Sequence, residues 1–302
     1  MYQKFVGFEN LRGDIFVGIT AGIVALPLAL ALGVQSGLGA TAGIYGAIFL
    51  GLISAVLGGT RSQISGPTGP MAVVSSVVII TAIEIYGSVE KGLGFIIAVF
   101  VLSGFIQIIF GALKLGDYIK YIPYPVVSGF MSGIGIIIII LSLFPFIGQA
   151  SPKKVIEVIF QLPQALAKTN WEAVILSGMT LFVIYLIPKF SKIIPSSLVA
   201  LLFISPFSIV MEFKVPLIGS IPMGIPELKI GEIFNYDMSH LSLLIKLALT
   251  LAVLGAIDSL LTSVIADNIT RTKHNSNREL IGKGFGNIIA GFFGGYLEPV
   301  RQ

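Results

Sequence analysis

The sequence contains no cysteine and little charge, and each absence excludes a class of protein. With no Cys in 302 residues, a disulfide scaffold and a thiolate metal site are excluded. Only 11% of the residues are charged, under half of the ~25% that a soluble domain carries. The chain therefore lacks the polar side chains to cover a water-exposed surface. The net charge of +4 is spread thinly along it, which argues against a nucleic-acid partner.

Sequence motifs for catalysis and cofactor binding are missing as well. The HExxH, GxGxxG and Walker patterns do not occur. His240 and His274 are interpreted as loop residues, because neither has a metal-ligand partner at useful spacing. We therefore predict a protein that is not an enzyme and carries no cofactor.

Long apolar runs make up most of the chain, which is 55% hydrophobic with a mean hydropathy of +0.96. A membrane helix needs ~20 mostly apolar residues, and this pattern predicts an all-α polytopic membrane protein. About nine segments are expected, at residues 15–34, 40–57, 67–83, 95–113, 126–146, 173–187, 195–211, 243–266 and 282–295. Residues 151–171 are amphipathic and are predicted to lie on the outer membrane surface.

The distribution of Lys and Arg predicts the orientation in the membrane. Basic residues outnumber acidic ones in one set of alternate connections, and the reverse holds in the other set. Lys283 is counted here among the loop cations of the basic set. Because basic loops stay on the cytoplasmic side, we predict a cytoplasmic N-terminus in a cell (inner) membrane.

Residues 58–70 interrupt the apolar pattern with glycine and proline. The two Gly-Pro steps that flank Thr68 cannot continue a regular helix, and proline is favoured in the first turn of a new one. We predict an extended stretch that turns into a half-helix inside the membrane, covered by protein or a wet cavity. Its free N–H groups and ~+0.5 charge would bind an anion, with Thr68 adding a hydroxyl. The alternative is a kink with a packing role.

Asp258 is a carboxylate within an apolar run. Its insertion costs roughly 2.5–3.5 kcal/mol, so it needs a cation, a proton or a polar network. Thr262 lies one helical turn further on, and both oxygens are expected on one face of the helix. This pair suits Na⁺ or H⁺; the alternative is an acid that is protonated and hydrogen-bonded in the bundle. Whether Ser259 and Ser263 serve more than packing is left open.

Residues 266–287 are predicted to form a polar cytoplasmic connection. Its polar side chains are expected to cap helix ends and to tie neighbouring loops together. Asn268 and Asn287 lie near helix ends and are predicted to form hydrogen bonds across helices. We interpret these groups as structural.

Four segments together resemble the SulP (sulfate permease) family of anion transporters. They read ENLRGDIFVG at 9–18, SGPTGPM at 65–71, YPVVSGFMSGIG at 124–135 and HNSNRELIG at 274–282. They follow the order of the family over nearly the whole chain. The stretch AIDSLLTS at 256–263 is similar to that of the cyanobacterial sodium-dependent bicarbonate transporters.

The resemblance implies fourteen segments arranged as two inverted seven-segment repeats and divided into core and gate domains. The anion would lie between the starts of segments three and ten, in contact with Thr68, Gly66 and Gly69. Asp258 and Thr262 would bind Na⁺, whereas other members have Glu at the acid position and use H⁺. Members of the family usually end in a STAS domain and form homodimers.

The sequence departs from the family pattern after residue 295, where segment ten should open with small residues. We expect residues 1–302 to be a truncated transmembrane domain: the first repeat and the start of the second, without segments ten to fourteen and STAS. The predicted function is Na⁺-coupled bicarbonate uptake. The alternatives are H⁺-coupled transport of sulfate or another anion, and a non-transporting membrane remnant.

Overall fold

The computed structural model describes residues 11–121, 123–152, 155–190, 196–217, 231 and 236–293, and all regular structure in these ranges is helical. Short 3₁₀ turns lie at Leu115–Tyr121 and Met238–His240. The α-helices are α1 (Leu11–Ser36), α2 (Ala40–Leu57), α3 (Gly69–Tyr86), α4 (Leu93–Ala112), α5 (Tyr124–Phe146), α6 (Val155–Leu166), α7 (Trp171–Phe190), α8 (Ser196–Val210), α9 (Leu241–Thr270) and α10 (Ser276–Phe293).

Six of the described helices are long and apolar enough to cross a membrane. They are α1, α2, α3, α4, α7 and α9 together with the 3₁₀ turn before it. Many of their large apolar side chains face outward, such as Phe16 at 68% exposure and Phe182 at 63%. In water this surface would be unstable, so these helices fit a hydrocarbon environment.

The nine predicted apolar segments correspond to α1–α5 and α7–α10, and the largest error lies in α10. The prediction began this segment at residue 282, whereas the helix begins at Ser276. Residues 276–281 were therefore wrongly assigned to a loop, and Lys283 was wrongly counted among the loop cations. Glu279 and Lys283 face the protein interior instead of water, at 2% and 6% exposure.

The amphipathic stretch at residues 151–171 contains the short helix α6. Its fully buried Val158 packs with Leu141 and Phe144 of α5. The opposite face carries exposed side chains, including Phe160 at 77%. The amphipathic pattern thus reflects packing on α5, and the position of α6 at the outer membrane surface stays a prediction.

The core that positions the site lies between α3, α4 and α9. Side chains from these helices form one buried cluster that includes Ile79, Phe95 and Leu251. Helix α10 packs against both α2 and α4. The start of α3 is therefore held close to the middle of α9.

Two glycines allow the backbones of α4 and α10 to approach closely. A Cβ atom added to Gly104 would lie 2.6 Å from the carbonyl oxygen of Gly284, and the reverse distance is also 2.6 Å. Small residues are typical of helix contacts in membranes, where close packing replaces the hydrophobic effect as the main attraction. These positions hold α10 against the core.

We expect Gly104→Ala to lower the free energy of unfolding by about 1–3 kcal/mol, because the added methyl group would push α4 and α10 apart. Loss of the monodisperse peak on size-exclusion chromatography after stepwise heating in detergent measures the change. The matched control is Gly178→Ala in α7, where an added Cβ meets no atom within 4 Å. Equal loss of stability in both variants would contradict the packing role of Gly104.

Candidate ion-binding site

The segment between α2 and α3 has the broken geometry that the sequence predicts. The chain leaves the helix at Gly58 and stays non-helical through Thr68, and α3 then begins at Gly69 with Pro70 in its first turn. With 18 residues, α3 is about 27 Å long at 1.5 Å per residue. This is close to the ~30 Å of a hydrocarbon core. The extended segment therefore leads into a nearly full-length helix and not into the predicted half-helix.

Thr68 occupies the N-cap position of α3, but its side chain does not cap the helix. Its hydroxyl instead donates a hydrogen bond of 2.8 Å to Oδ2 of Asp258, 190 residues further along the chain. The first backbone bond of α3 runs from the Ala72 N–H to the Thr68 carbonyl. The N–H groups of Gly69 and Met71 precede that bond, and no side-chain cap covers them. The positive end of the helix dipole is thus left open.

Asp258 lies in the middle of α9 and is 6% exposed. Thr262 is on the same helix one turn later, but its hydroxyl donates to the backbone carbonyl of Asp258 at 2.8 Å. The carboxylate therefore receives its side-chain hydrogen bond from Thr68. Since the Thr262 hydroxyl uses only its proton in this bond, its oxygen keeps lone pairs that a cation can accept.

A cavity of about 160 Å³ adjoins this contact, with walls that come from α1–α4, α9 and α10. Of the predicted site residues, Gly66, Thr68 and Asp258 line the cavity. Gly69 and Thr262 are also described but are not among its lining residues. Gly69 directly follows the lining residue Thr68 in sequence, and Thr262 lies three residues after the lining residue Ser259. The fold thus brings together residues from the broken segment and from α9.

Ser263 anchors the broken segment to α9. Its side chain is fully buried, and its Oγ lies 2.9 Å from Thr60 Oγ1 and 2.8 Å from Gln63 Oε1. The role of Ser263, which the sequence left open, is therefore more than packing. Ser259 lines the cavity.

Glu279 fixes the beginning of the same segment, and sequence reasoning did not single it out. Its Oε2 accepts the N–H groups of Gly59 at 2.8 Å and of Thr60 at 3.0 Å. Gly59 permits this approach because a Cβ there would lie 2.1 Å from the Asn275 carbonyl oxygen. The expectation that polar groups near α10 tie neighbouring loops together is confirmed.

The polar side chains of α10 form a stripe at four-residue spacing: Glu279, Lys283 and Asn287. Asn287 donates to Gln107 Oε1 of α4 at 2.7 Å, and Gln107 Nε2 donates to the Ala252 carbonyl of α9 at 3.4 Å. The predicted cross-helix hydrogen bond of Asn287 is thus confirmed. Lys283 lines the cavity, so its assignment to a cytoplasmic loop was wrong. The helical spacing of this stripe was the signal that could have identified it.

His274 lies in the α9–α10 connection, as expected, and has a partner that the sequence did not indicate. Its Nδ1 is 2.6 Å from Asp267 Oδ2, and its Nε2 is 2.9 Å from Ser276 Oγ. These bonds link Asp267 near the end of α9 to Ser276 at the start of α10 through His274. Within the described ranges, no group of three or more His, Asp or Glu side chains is arranged to hold a metal ion.

Comparison with known proteins shows extensive similarity along the chain. The sequence pattern of the sulfate permease family matches residues 11–299. The bicarbonate transporter BicA of Picosynechococcus is 46% identical over 96% of this chain and 52% of its own length. BicA of Synechocystis is also 46% identical, over 96% of this chain and 51% of its own length. The chain thus spans about half the length of these curated relatives.

Solved structures show the same fold. The transmembrane domain of a cyanobacterial bicarbonate transporter, BicA, superposes with a TM-score of 0.86 at 45% identity, covering 96% of this chain and 74% of that one. The anion transporter SLC26A9 superposes with a TM-score of 0.78 at 19% identity, over 95% and 49% of the two chains. The second likeness concerns the fold alone. Both confirm the predicted all-α, inverted-repeat class of membrane transporter fold.

We expect Glu279→Gln to lower the free energy of unfolding by about 1–3 kcal/mol, because two backbone N–H groups lose a charged acceptor. Heating in detergent followed by size-exclusion chromatography measures the change. Glu90→Gln, at an exposed position between α3 and α4, is the matched control and should behave like the parent protein. If Glu279→Gln is as stable as the control, the carboxylate does not anchor the broken segment.

Proposed function

Because the chain belongs to the sulfate permease family, we propose that it forms part of a secondary transporter that takes up bicarbonate together with Na⁺. The identity of 46% with two bicarbonate transporters supports the choice of bicarbonate. The single observation that carries the mechanism is the contact between Thr68 at the start of α3 and the buried Asp258 of α9. It joins a candidate anion site directly to a candidate cation site.

The anion end of the site is the start of α3. Backbone N–H groups and the helix dipole favour negative charge there, and no side-chain cap competes for those groups. Gly66 and Thr68 line the adjoining cavity, while Gly69 supplies the first N–H of the helix. An inorganic oxyanion would accept hydrogen bonds from these amides.

The cation end of the site is Asp258 with Thr262. A buried carboxylate, a hydroxyl oxygen and nearby carbonyl oxygens are ligands that suit Na⁺ in transporters with broken helices. Oδ2 of Asp258 already accepts the Thr68 hydroxyl. A cation would take the remaining oxygen of the carboxylate and the lone pairs of Thr262.

The proximity of the two ends provides the coupling. A negative carboxylate next to an anion is unfavourable, since two like charges ~6 Å apart repel by ~3 kcal/mol at an effective dielectric of ~20. Na⁺ at Asp258 removes this repulsion, so binding of either ion strengthens binding of the other. Thr68 links the two ends, because it lies at the start of α3 and its hydroxyl bonds to the carboxylate that would bind the cation.

The principal alternative is an H⁺-coupled transporter of sulfate or another anion. The observation that favours it is the burial of Asp258, because a buried carboxylate can take up a proton in place of Na⁺.

The active form of the proposed transporter would be a homodimer in the cell membrane with its N-terminus in the cytoplasm. A remnant that does not transport is the remaining alternative, since the chain spans about half the length of its relatives.

We expect Asp258→Asn to abolish the Na⁺ dependence of anion uptake, because the variant removes the charge that would bind the cation. Uptake of ¹⁴C-bicarbonate into proteoliposomes that contain the full protein measures this, with Na⁺ replaced by choline in parallel. Asp117→Asn, at an exposed position, should keep the parent response. Unchanged uptake by the parent protein in Na⁺-free buffer, with stimulation by an inward proton gradient, would favour H⁺ coupling instead.

We expect Thr68→Val to raise the half-saturating bicarbonate concentration by about tenfold, equivalent to ~1.4 kcal/mol, because the near-isosteric side chain cannot donate to Asp258. The same uptake measurement gives this value. Thr81→Val on α3 is the control, since among the described residues the Thr81 hydroxyl bonds only to its own helix, at Val77. An equal effect of both variants would mean that Thr68 supports only the fold of α3.

A further inference from the structure

Lys283 is a buried cation that the ion-coupling scheme above does not use. It is 6% exposed and lines the cavity together with Thr68 and Asp258. On α10 it is flanked by Glu279 one turn before and by Asn287 one turn after. A buried ammonium group costs several kcal/mol unless other charges compensate it, so its position beside a candidate ion site requires an explanation.

Two carboxylates lie near Lys283, on different helices: Glu279 is one turn before it on α10, and Asp258 of α9 lines the same cavity. Both are almost fully buried, at 2% and 6% exposure. Among the described residues, no ion pair within 4 Å joins Lys283 to either of them. Lys283 is therefore near both carboxylates without being held in a salt bridge by either one.

The three charges differ in what else contacts them. Glu279 is held by the N–H groups of Gly59 and Thr60, so its carboxylate is committed to the broken segment. Asp258 has only the hydroxyl of Thr68 as a side-chain hydrogen-bond donor within the described ranges. With all three groups ionised, Asp258, Glu279 and Lys283 carry a net charge of −1, which a single monovalent cation would cancel. Without the lysine the same site would carry −2.

We propose that Lys283 is a tethered counter-cation of the site. Its positive charge weakens the attraction of the site for Na⁺ and limits to one the number of Na⁺ ions needed to neutralise the site. This role rests on the proposed Na⁺-coupled transport and adds a residue that determines cation affinity. The ammonium group repels the incoming Na⁺ through space and thereby makes the bound cation easier to release. Fast release matters for a transporter, because each cycle requires the cation to leave.

The test is the Na⁺ dependence of ¹⁴C-bicarbonate uptake by the full protein in proteoliposomes. Lys283→Gln and Lys283→Met both remove the charge, and the methionine keeps an unbranched side chain that suits a buried position. We expect either variant to lower the half-saturating Na⁺ concentration about tenfold, because the site becomes more negative. The control is Lys246→Gln, which removes an exposed cation at the start of α9 and should leave that concentration unchanged.

Two outcomes would overturn the proposal. One is an unchanged half-saturating Na⁺ concentration in both Lys283 variants when uptake by the parent protein depends on Na⁺. The other is a large increase in the half-saturating bicarbonate concentration without any change in the response to Na⁺. The second result would make Lys283 a direct ligand of the anion.

A double-mutant cycle separates failure of this inference from failure of the proposed function. If uptake by the parent protein ignores Na⁺, the proposed function is wrong, but the charge coupling is still measurable by thermal stability in detergent. Lys283→Gln should destabilise the parent protein more than it destabilises the Asp258→Asn variant. In that variant residue 258 is neutral, so the positive charge of Lys283 no longer stabilises it. Equal losses in both backgrounds would overturn the role of Lys283 as counter-cation of Asp258.

Discussion

The hydrogen bond from Thr68 to Asp258 is the contact on which the organisation of the site depends. A threonine at a helix N-cap normally accepts a hydrogen bond from a backbone N–H of its own first turn. Here the Thr68 hydroxyl instead donates to a carboxylate of another helix. This choice leaves the start of α3 open and supplies the buried carboxylate with a donor. One side chain thus meets two needs, both of which arise from burying polar groups in an apolar bundle.

The remaining contacts hold the broken segment so that this bond can form. Ser263 binds its middle from α9, and Glu279 binds its beginning from α10. An extended backbone among apolar helices has N–H and C=O groups that need partners, since no water is available in a hydrocarbon core. The buried charged side chains of the described residues, Asp258, Glu279 and Lys283, lie on α9 and α10.

Close packing by glycine makes this arrangement possible. Because Gly104 and Gly284 let α4 and α10 approach to backbone contact, the polar stripe of α10 is sealed from lipid on that side. Lys283 and Glu279 are thereby buried near Asp258 in surroundings of low polarity. In such surroundings each charge has a stronger effect on its neighbours than it would have at a surface, which is why the net charge of the cluster matters for an ion.

The sequence by itself determined the helical class, most helix bounds, the break at residues 58–70 and the isolation of Asp258. Each of these follows from local composition, because apolar runs, glycine and proline act over a few residues. The partner of Thr68, the direction of the Thr262 hydroxyl and the burial of Glu279 and Lys283 were decided by the tertiary structure. Hydropathy is averaged over neighbours in sequence, so Lys283 between two glycines resembles a loop residue. Its burial depends instead on which face of α10 packs against the neighbouring helices. Contacts between residues about 200 positions apart exist only once α9 and α10 pack against α2, α3 and α4.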